Sequence, residues 1–202
     1  MNSIPAVIVT HTTARASQTG WSAQYANLSE LKQQLAAQDS PFPKADLEDF
    51  RRAADTVRLA QLAAIILAYD TQDWNAQNTS LVGWNGTGCR HANLKYWQDY
   101  VANGKDTARA SLFVPTLPSI PICEAAIALD IHGSTQFLQT PSDTRLLQRH
   151  LRACLAQDPT VNRLLVFEVT PDWCVAFNWT PTTEIPSATD LKHAFFPTTN
   201  TR

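Results

Sequence analysis

Thr116-Leu117-Pro118-Ser119-Ile120-Pro121-Ile122-Cys123-Glu124-Ala125-Ala126-Ile127-Ala128-Leu129-Asp130-Ile131-His132-Gly133-Ser134-Thr135-Gln136-Phe137-Leu138-Gln139-Thr140-Pro141-Ser142-Asp143 is the stretch on which the fold turns. With its flanks, Ser111 to Arg149, it reads as a strand or extended lead-in, a helix, a strand, a turn and a second helix. Leu112-Phe113-Val114 is an apolar run stopped by Pro115 and Pro118. Ser119 is placed to cap a helix running through Leu129, with Pro121 in its first turn, and His132-Gly133 ends it. Ser134 to Gln139 gives a short strand. After the turn Thr140 to Asp143, Ser142 is placed to cap a helix carrying Leu147, Leu151, Cys154 and Leu155 on one face. A side chain at such a junction points at the positive end of a helix dipole, where a thiol is acidified and a forming anion stabilised. Here it is a serine hydroxyl.

Outward from that core, the pattern is α/β. Ala6-Val7-Ile8-Val9 is short and fully apolar, as in a strand covered on both faces. Leu28, Leu31 and Leu35 are spaced for one face of a helix, and Ser40-Pro41-Phe42-Pro43 breaks the chain. From about Asp46 the positions Leu47, Phe50, Ala54, Val57, Gln61 or Leu62, Ile65 and Tyr69 recur at helical spacing and predict a long helix with a charged outer face. Thr79 to Trp84 is a strand. Gly83 to Gly88 is a glycine-rich turn into a helix from Arg90 to Val101, where Leu94, Trp97, Tyr100 and Val101 form a packing face. Asn162 to Val169 and Trp173 to Trp179 are strands of an antiparallel hairpin turned by Thr170-Pro171-Asp172. The reading is one layered domain over 1–197, a mixed sheet covered by helices and ending in that hairpin, with 198–202 a disordered tail.

Composition excludes several classes of function. The chain has 202 residues, 44% hydrophobic, a formal charge of -2 and a pI near 6.2, with no basic stripe for nucleic acid or anionic lipid. No apolar run reaches the length of a membrane span, and Met1 to Pro5 lacks the basic region of a secretion signal, so the expected compartment is the cytoplasm. Cys89, Cys123, Cys154 and Cys174 are singly placed, and the five histidines form no H-x-x-x-H pair, so no metal or other cofactor is expected.

Two chemistries remain open from the residues alone. Cys89 stands two residues before His91 at a helix start, which would suit a small thiol enzyme using that histidine or a more distant one. The turn Gly83-Trp84-Asn85-Gly86-Thr87-Gly88 could present backbone amides to a nucleotide phosphate, although its order is G-x-x-G-x-G, not G-x-G-x-x-G. Ser142 lacks the flanking glycines of a nucleophile elbow and reads as a helix cap.

The run Thr116 to Pro121, then Glu124 to Leu129, then Ile131-His132-Gly133 resembles the stretch of β-ketoacyl-ACP synthases, enzymes of thiolase-like fold, that leads to their nucleophilic cysteine. In that family the cysteine follows nine residues after the last glycine, and the same count from Gly133 reaches Ser142. Ser134 stands where proline is usual. Ala6 to Thr13 is similar to the family's opening strand, with His11 in place of a glycine, and Lys44 to Ala68, including Arg51-Arg52, to its early helix. Leu81 to Gly88 resembles the next strand and turn. Ketosynthases carry two catalytic histidines in a second half for which this sequence has no room. The resemblance is therefore to a first half, most like the short ketosynthase-like or chain-length-factor-type proteins of aryl polyene pathways. It implies no ketosynthase activity alone and a heterodimer with a full-length ketosynthase in polyketide or fatty-acid-type elongation, with acyl carrier protein as a further contact. It also implies a partner interface and tunnel wall at Ile122, Ala126, Leu129, Thr135, Phe137 and Gln139.

Overall fold

In the computed structural model, residues 4–104, 109–140, 144–181 and 185 are described. The four apolar runs become β1 (Ala6–Thr10), β4 (Thr79–Asn85), β6 (Arg163–Val169) and β7 (Trp173–Trp179), adjacent in one sheet. Three further strands lie at its margins: β2 (Thr13–Ala16) and β3 (Ser22–Gln24) at one side, β5 (Thr135–Gln139) at the other. The order is β3-β2-β1-β7-β6-β4-β5. Strands β4, β5 and β6 are mutually parallel, and β7 runs antiparallel to β1 and β6. The mixed sheet and the closing β6–β7 hairpin match the sequence reading. The hairpin β2–β3 was not foreseen, because its strands are short and polar.

Helices cover both faces. Alternation along β7 sorts its side chains: Cys174 and Ala176 lie in one core cluster, Val175, Phe177 and Trp179 in the other. The small face meets α2 (Asp55–Asp70), with α1 (Leu28–Leu35) and α5 (Ile120–Ala128) in the same layer. The bulky face meets α6 (Thr144–Gln157) through Leu147, Leu151 and Cys154. At α1 the Asn27 Oδ1 accepts from the Glu30 amide and Glu30 Oε2 accepts from the Ala26 amide, satisfying two donors at the helix start.

Four expectations are corrected. The long helix begins at Asp55, not Asp46, and its outer face is not charged: from Val57 to Asp70 only Arg58 and Tyr69 are not buried. The run Leu59 to Ala68 is apolar all round, and Ala60, Ala63 and Ala64 let the sheet and α5 close on it, so helix periodicity carries no solvent side. Ser111 to Val114 is not extended: it lies in α4 (Ala110–Phe113) and a 3-10 turn Val114–Thr116, and among the described residues no strand pairs with it. Ser119 precedes α5 with helical backbone angles and makes no capping hydrogen bond.

The fourth correction is α3 (Arg90–Asn103), whose expected packing face packs on no core: none of its residues is buried. Helix α5 also ends differently, at Ala128, with Asp130 in the left-handed region at φ 54° and the Ile131 amide returning to the Ala126 carbonyl. Among the described residues no single helix is long and apolar enough to cross a membrane. The expected tail at 198–202 lies outside the described residues.

Candidate functional site

The parallel strands β4 and β6 end beside one another, and the turn Gly86 to Cys89 leads from β4 into α3. Asn85, nearly buried, organises this turn. Its Oδ1 accepts from the Thr87 amide at 3.1 Å and from the Gly88 amide, while its Nδ2 donates to the Val169 carbonyl at 3.3 Å. The amides that a phosphate would need are thus already bonded to a side chain, which removes the physical basis for a nucleotide loop. Only Gly88 in this turn needs a positive φ, 56°. Gly83 belongs to the strand and is small for another reason: a Cβ there would stand 2.5 Å from Ile122 Cγ1.

Next to the turn lies a cavity of about 90 Å³ lined by Cys89, His91, Leu117, Ile122, Phe137 and Phe167, among others. Cys89 and His91, singled out from sequence, therefore do share a wall. They do not form a nucleophile and base. The Cys89 thiol donates to the Thr116 carbonyl at 2.5 Å, Asn93 Nδ2 lies 3.4 Å from the sulfur, and His91 is exposed. The thiol proton is thus directed at a backbone carbonyl and not at an imidazole. Of the other described histidines, His11 Nε2 is 2.9 Å from the Pro171 carbonyl, His132 Nε2 is 3.0 Å from Asp130 Oδ1, and His150 lies on α6; His193 lies outside the described residues. Among the described residues no three His, Cys, Asp or Glu side chains come together as a metal site.

Ser142, with Pro141 and Asp143, lies outside the described residues. The six positions implied as interface and tunnel wall divide in two. Ile122, Ala126 and Leu129 are buried, and Ala126 and Leu129 are core contacts of α5. Ile122 alone of the three also lines the cavity. Thr135 and Phe137 are half-buried and Gln139 exposed on β5, which among the described residues pairs only with β4. Phe137 faces the cavity, so the strand's inner face and its unpaired edge meet at one place.

A surface that sequence reasoning misassigned adjoins it. Leu94 (51% exposed), Trp97 (59%) and Val101 (65%) run along α3, and Phe113, Val114 and Leu117 continue the exposed apolar surface through α4 and the 3-10 turn. Tyr96 holds the two segments together, edge-on to Phe113 with centroids 5.7 Å apart. The i, i+3, i+7 spacing signalled an apolar seam, but spacing does not say whether this chain or another covers it.

No family model and no curated protein sequence matches this chain. Among solved structures, it is similar in fold to a chain of the ketosynthase ApeO in complex with its chain length factor ApeC from Xenorhabdus doucetiae. The TM-score is 0.53 at 13% identity, covering 93% of this chain and 79% of that one, so the matched chain is only modestly longer. It is also similar to a chain of the ishigamide ketosynthase/chain length factor, at TM-score 0.54 and 12% identity, covering 91% of this chain and 63% of that one. The chain thus spans less than two thirds of the second neighbour's length. The layered thiolase-like architecture expected from the resemblance is the fold these neighbours share with it.

Proposed function

We propose that this chain is a non-catalytic, chain-length-factor-type subunit that pairs with a full-length β-ketoacyl-ACP synthase and walls part of the space in which its acyl chain grows. The partner supplies the cysteine and both histidines. The reaction is polyketide extension of the aryl polyene type, in the cytoplasm, with acyl carrier protein delivering the chain. The fold likeness to solved ketosynthase and chain length factor complexes supports the reading. So does the serine at position 142, where the resemblance places the family's attacking thiol.

The observation that carries the proposal is the outer edge of β5. A strand edge left open is a template for another chain, and here the β5 edge, open among the described residues, borders an apolar cavity through Phe137. The test is co-expression with candidate ketosynthases and measurement of complex mass and product length. A 1:1 complex is expected, lost when Thr135 and Gln139 are both changed to lysine, which blocks an edge without touching the core. A chain that recruits no ketosynthase, or that condenses acyl and malonyl groups unaided, overturns it.

A further inference from the structure

The excursion between β4 and α5 is bound to itself more than to the body of the domain. Helix α3, helix α4 and the 3-10 turn Val114–Thr116 contain no buried residue. Their ties are internal: Arg109 pairs with Asp99 at 3.6 Å, Tyr96 stands edge-on to Phe113, and the Cys89 thiol joins the start of the excursion to its end at the Thr116 carbonyl. Asn103 and Gly104 aside, the hydrogen bonds, ion pair and ring contacts of these segments among the described residues all close within 87–117.

Empty space separates these segments from the body on two sides. The cavity of about 90 Å³ lies between Cys89, Ala92 and Pro115 on one side and Ile122, Phe137 and Phe167 on the other. A groove of about 320 Å³ runs between Arg52 and Thr56, at the entry to α2, and Lys95, Ser111 and Leu112. Both ends of the excursion are suited to pivot: Gly88 already sits at φ 56°, and Leu117 precedes Pro118 with extended angles. A segment with few buried apolar contacts opens locally at a free energy well below that of the whole fold. Because Cys89 is bonded to Thr116, its two arms open together.

We propose that α3 and α4 form a cap that swings over the cavity as one unit, and that pairing with the ketosynthase holds it shut. The opening rests on this chain's own geometry; the closing rests on the pairing read above. The exposed seam of Leu94 and Trp97 on one arm and Phe113 and Val114 on the other is continuous with β5 through Leu117 and Phe137, which line the same cavity. A protein that covers both the seam and the β5 edge bridges cap and body, and so supplies the tie that the excursion lacks. The coupling is reciprocal: whatever props the cap open weakens pairing by the factor with which pairing resists the opening.

The experiment uses the full chain carrying C123A, in which Cys89 is the one cysteine that is not buried, alone and in complex with a ketosynthase. In the free chain, α3 amides should exchange with solvent at least about tenfold faster than those of α2 and β4, and the same opening should let Cys89 react with a bulky maleimide. Pairing should slow both by about tenfold or more. Modified at Cys89 before mixing, the chain should pair about tenfold more weakly with the bulky adduct, its α3 amides exchanging faster still, and normally with a methylthio group that fits the cavity. Protection of α3 equal to that of α2 in the free chain overturns the cap. Exchange that pairing does not slow, or a bulky adduct that leaves α3 exchange and pairing unchanged, overturns the coupling. A chain that pairs with no ketosynthase while α3 still opens and Cys89 still labels overturns the pairing and not the cap.

Discussion

Gly83 and Ile122 touch so closely that a methyl group on the glycine would lie 2.5 Å from Ile122 Cγ1 and 2.8 Å from its Cδ1. Helix α5 therefore sits directly on β4 at the place where β4 faces the cavity. Alanine at 83 must displace Ile122 or the helix, and overpacking of a well-filled core costs about 1–3 kcal/mol. Because the obstacle is a side chain, G83A combined with I122A, which removes both clashing carbons, should lose less stability than the two single changes summed, measured by urea unfolding. Alanine at Gly133 is different in kind. There the Cβ would stand 2.1 Å from the Thr79 carbonyl oxygen, a backbone atom, so no neighbouring side-chain truncation should restore it.

Asp70 closes the end of α2 with a buried carboxylate. It accepts from the amides of Gln18 and Thr19 and from the Thr19 hydroxyl at 2.8 Å, tying the β2–β3 turn to the central helix. D70A leaves those donors unpaired, and a loss on the order of 2–4 kcal/mol is expected from hydrogen bonds made to a charged group. Proteolysis should then open first between Ser17 and Gly20. A variant cut elsewhere first would show that the turn is held by something other than this carboxylate.

The strands that are apolar on both faces were legible because their signal is local. Val7 to Val9, Leu81 to Trp84 and Leu164 to Phe167 are buried whatever lies beside them. Helix α2 was legible as a helix but not in its burial, since starting it at Asp46 brought in the charged residues before Asp55 and suggested a solvent face that the run itself lacks. Ser111 to Val114 failed because an apolar triplet says nothing about whether a strand partner exists. At the site, Cys89 and His91 were correctly placed near one another by sequence. The bond from the thiol to Thr116, which decides the chemistry, joins segments that sequence spacing cannot bring together.

Stability should fall on the alkaline side. Burial, with the Glu168 charge adding, pushes the Cys174 thiol far above its ordinary value, and burial also raises the Tyr25 phenol, whose hydroxyl is shared between the Thr10 and Thr13 carbonyls at 2.8 Å. Both groups hold their protons more tightly folded than unfolded. Their contribution is therefore complete below the unfolded value and is lost as pH rises above it, from about 8.5 for the thiol and 10 for the phenol. Cys174 alone gives a slope of about 1.4 kcal/mol per pH unit. C174A should reduce the fall in the urea midpoint between pH 8.5 and 10, leaving the part contributed by the Cys154 thiol, which burial also raises, and Y25F should reduce only the further fall above 10. A midpoint unchanged by pH in the parent protein would refute the assignment.

Trp97 tests whether the α3 surface belongs to this chain or to a partner. At 59% exposure its indole contributes little to folding here, and its ring contact among the described residues is a stacked one with Tyr100 at 5.8 Å between centroids. Replacing a core tryptophan by alanine costs about 3–5 kcal/mol, whereas an exposed one should change unfolding by no more than about 0.5 kcal/mol. The same W97A change should weaken ketosynthase pairing by about 2 kcal/mol or more if the ring fills a pocket on the partner, since buried aromatics dominate interface energies. Leu94 and Val101, on the same face, predict a smaller loss of pairing for L94E and V101E, with the fold again intact. Measured by denaturation and by titration on the same preparations, the two readouts should separate: stability constant, association reduced. If W97A instead lowers stability and leaves association alone, α3 is anchored within this chain, and the apolar seam is not where a second protein binds.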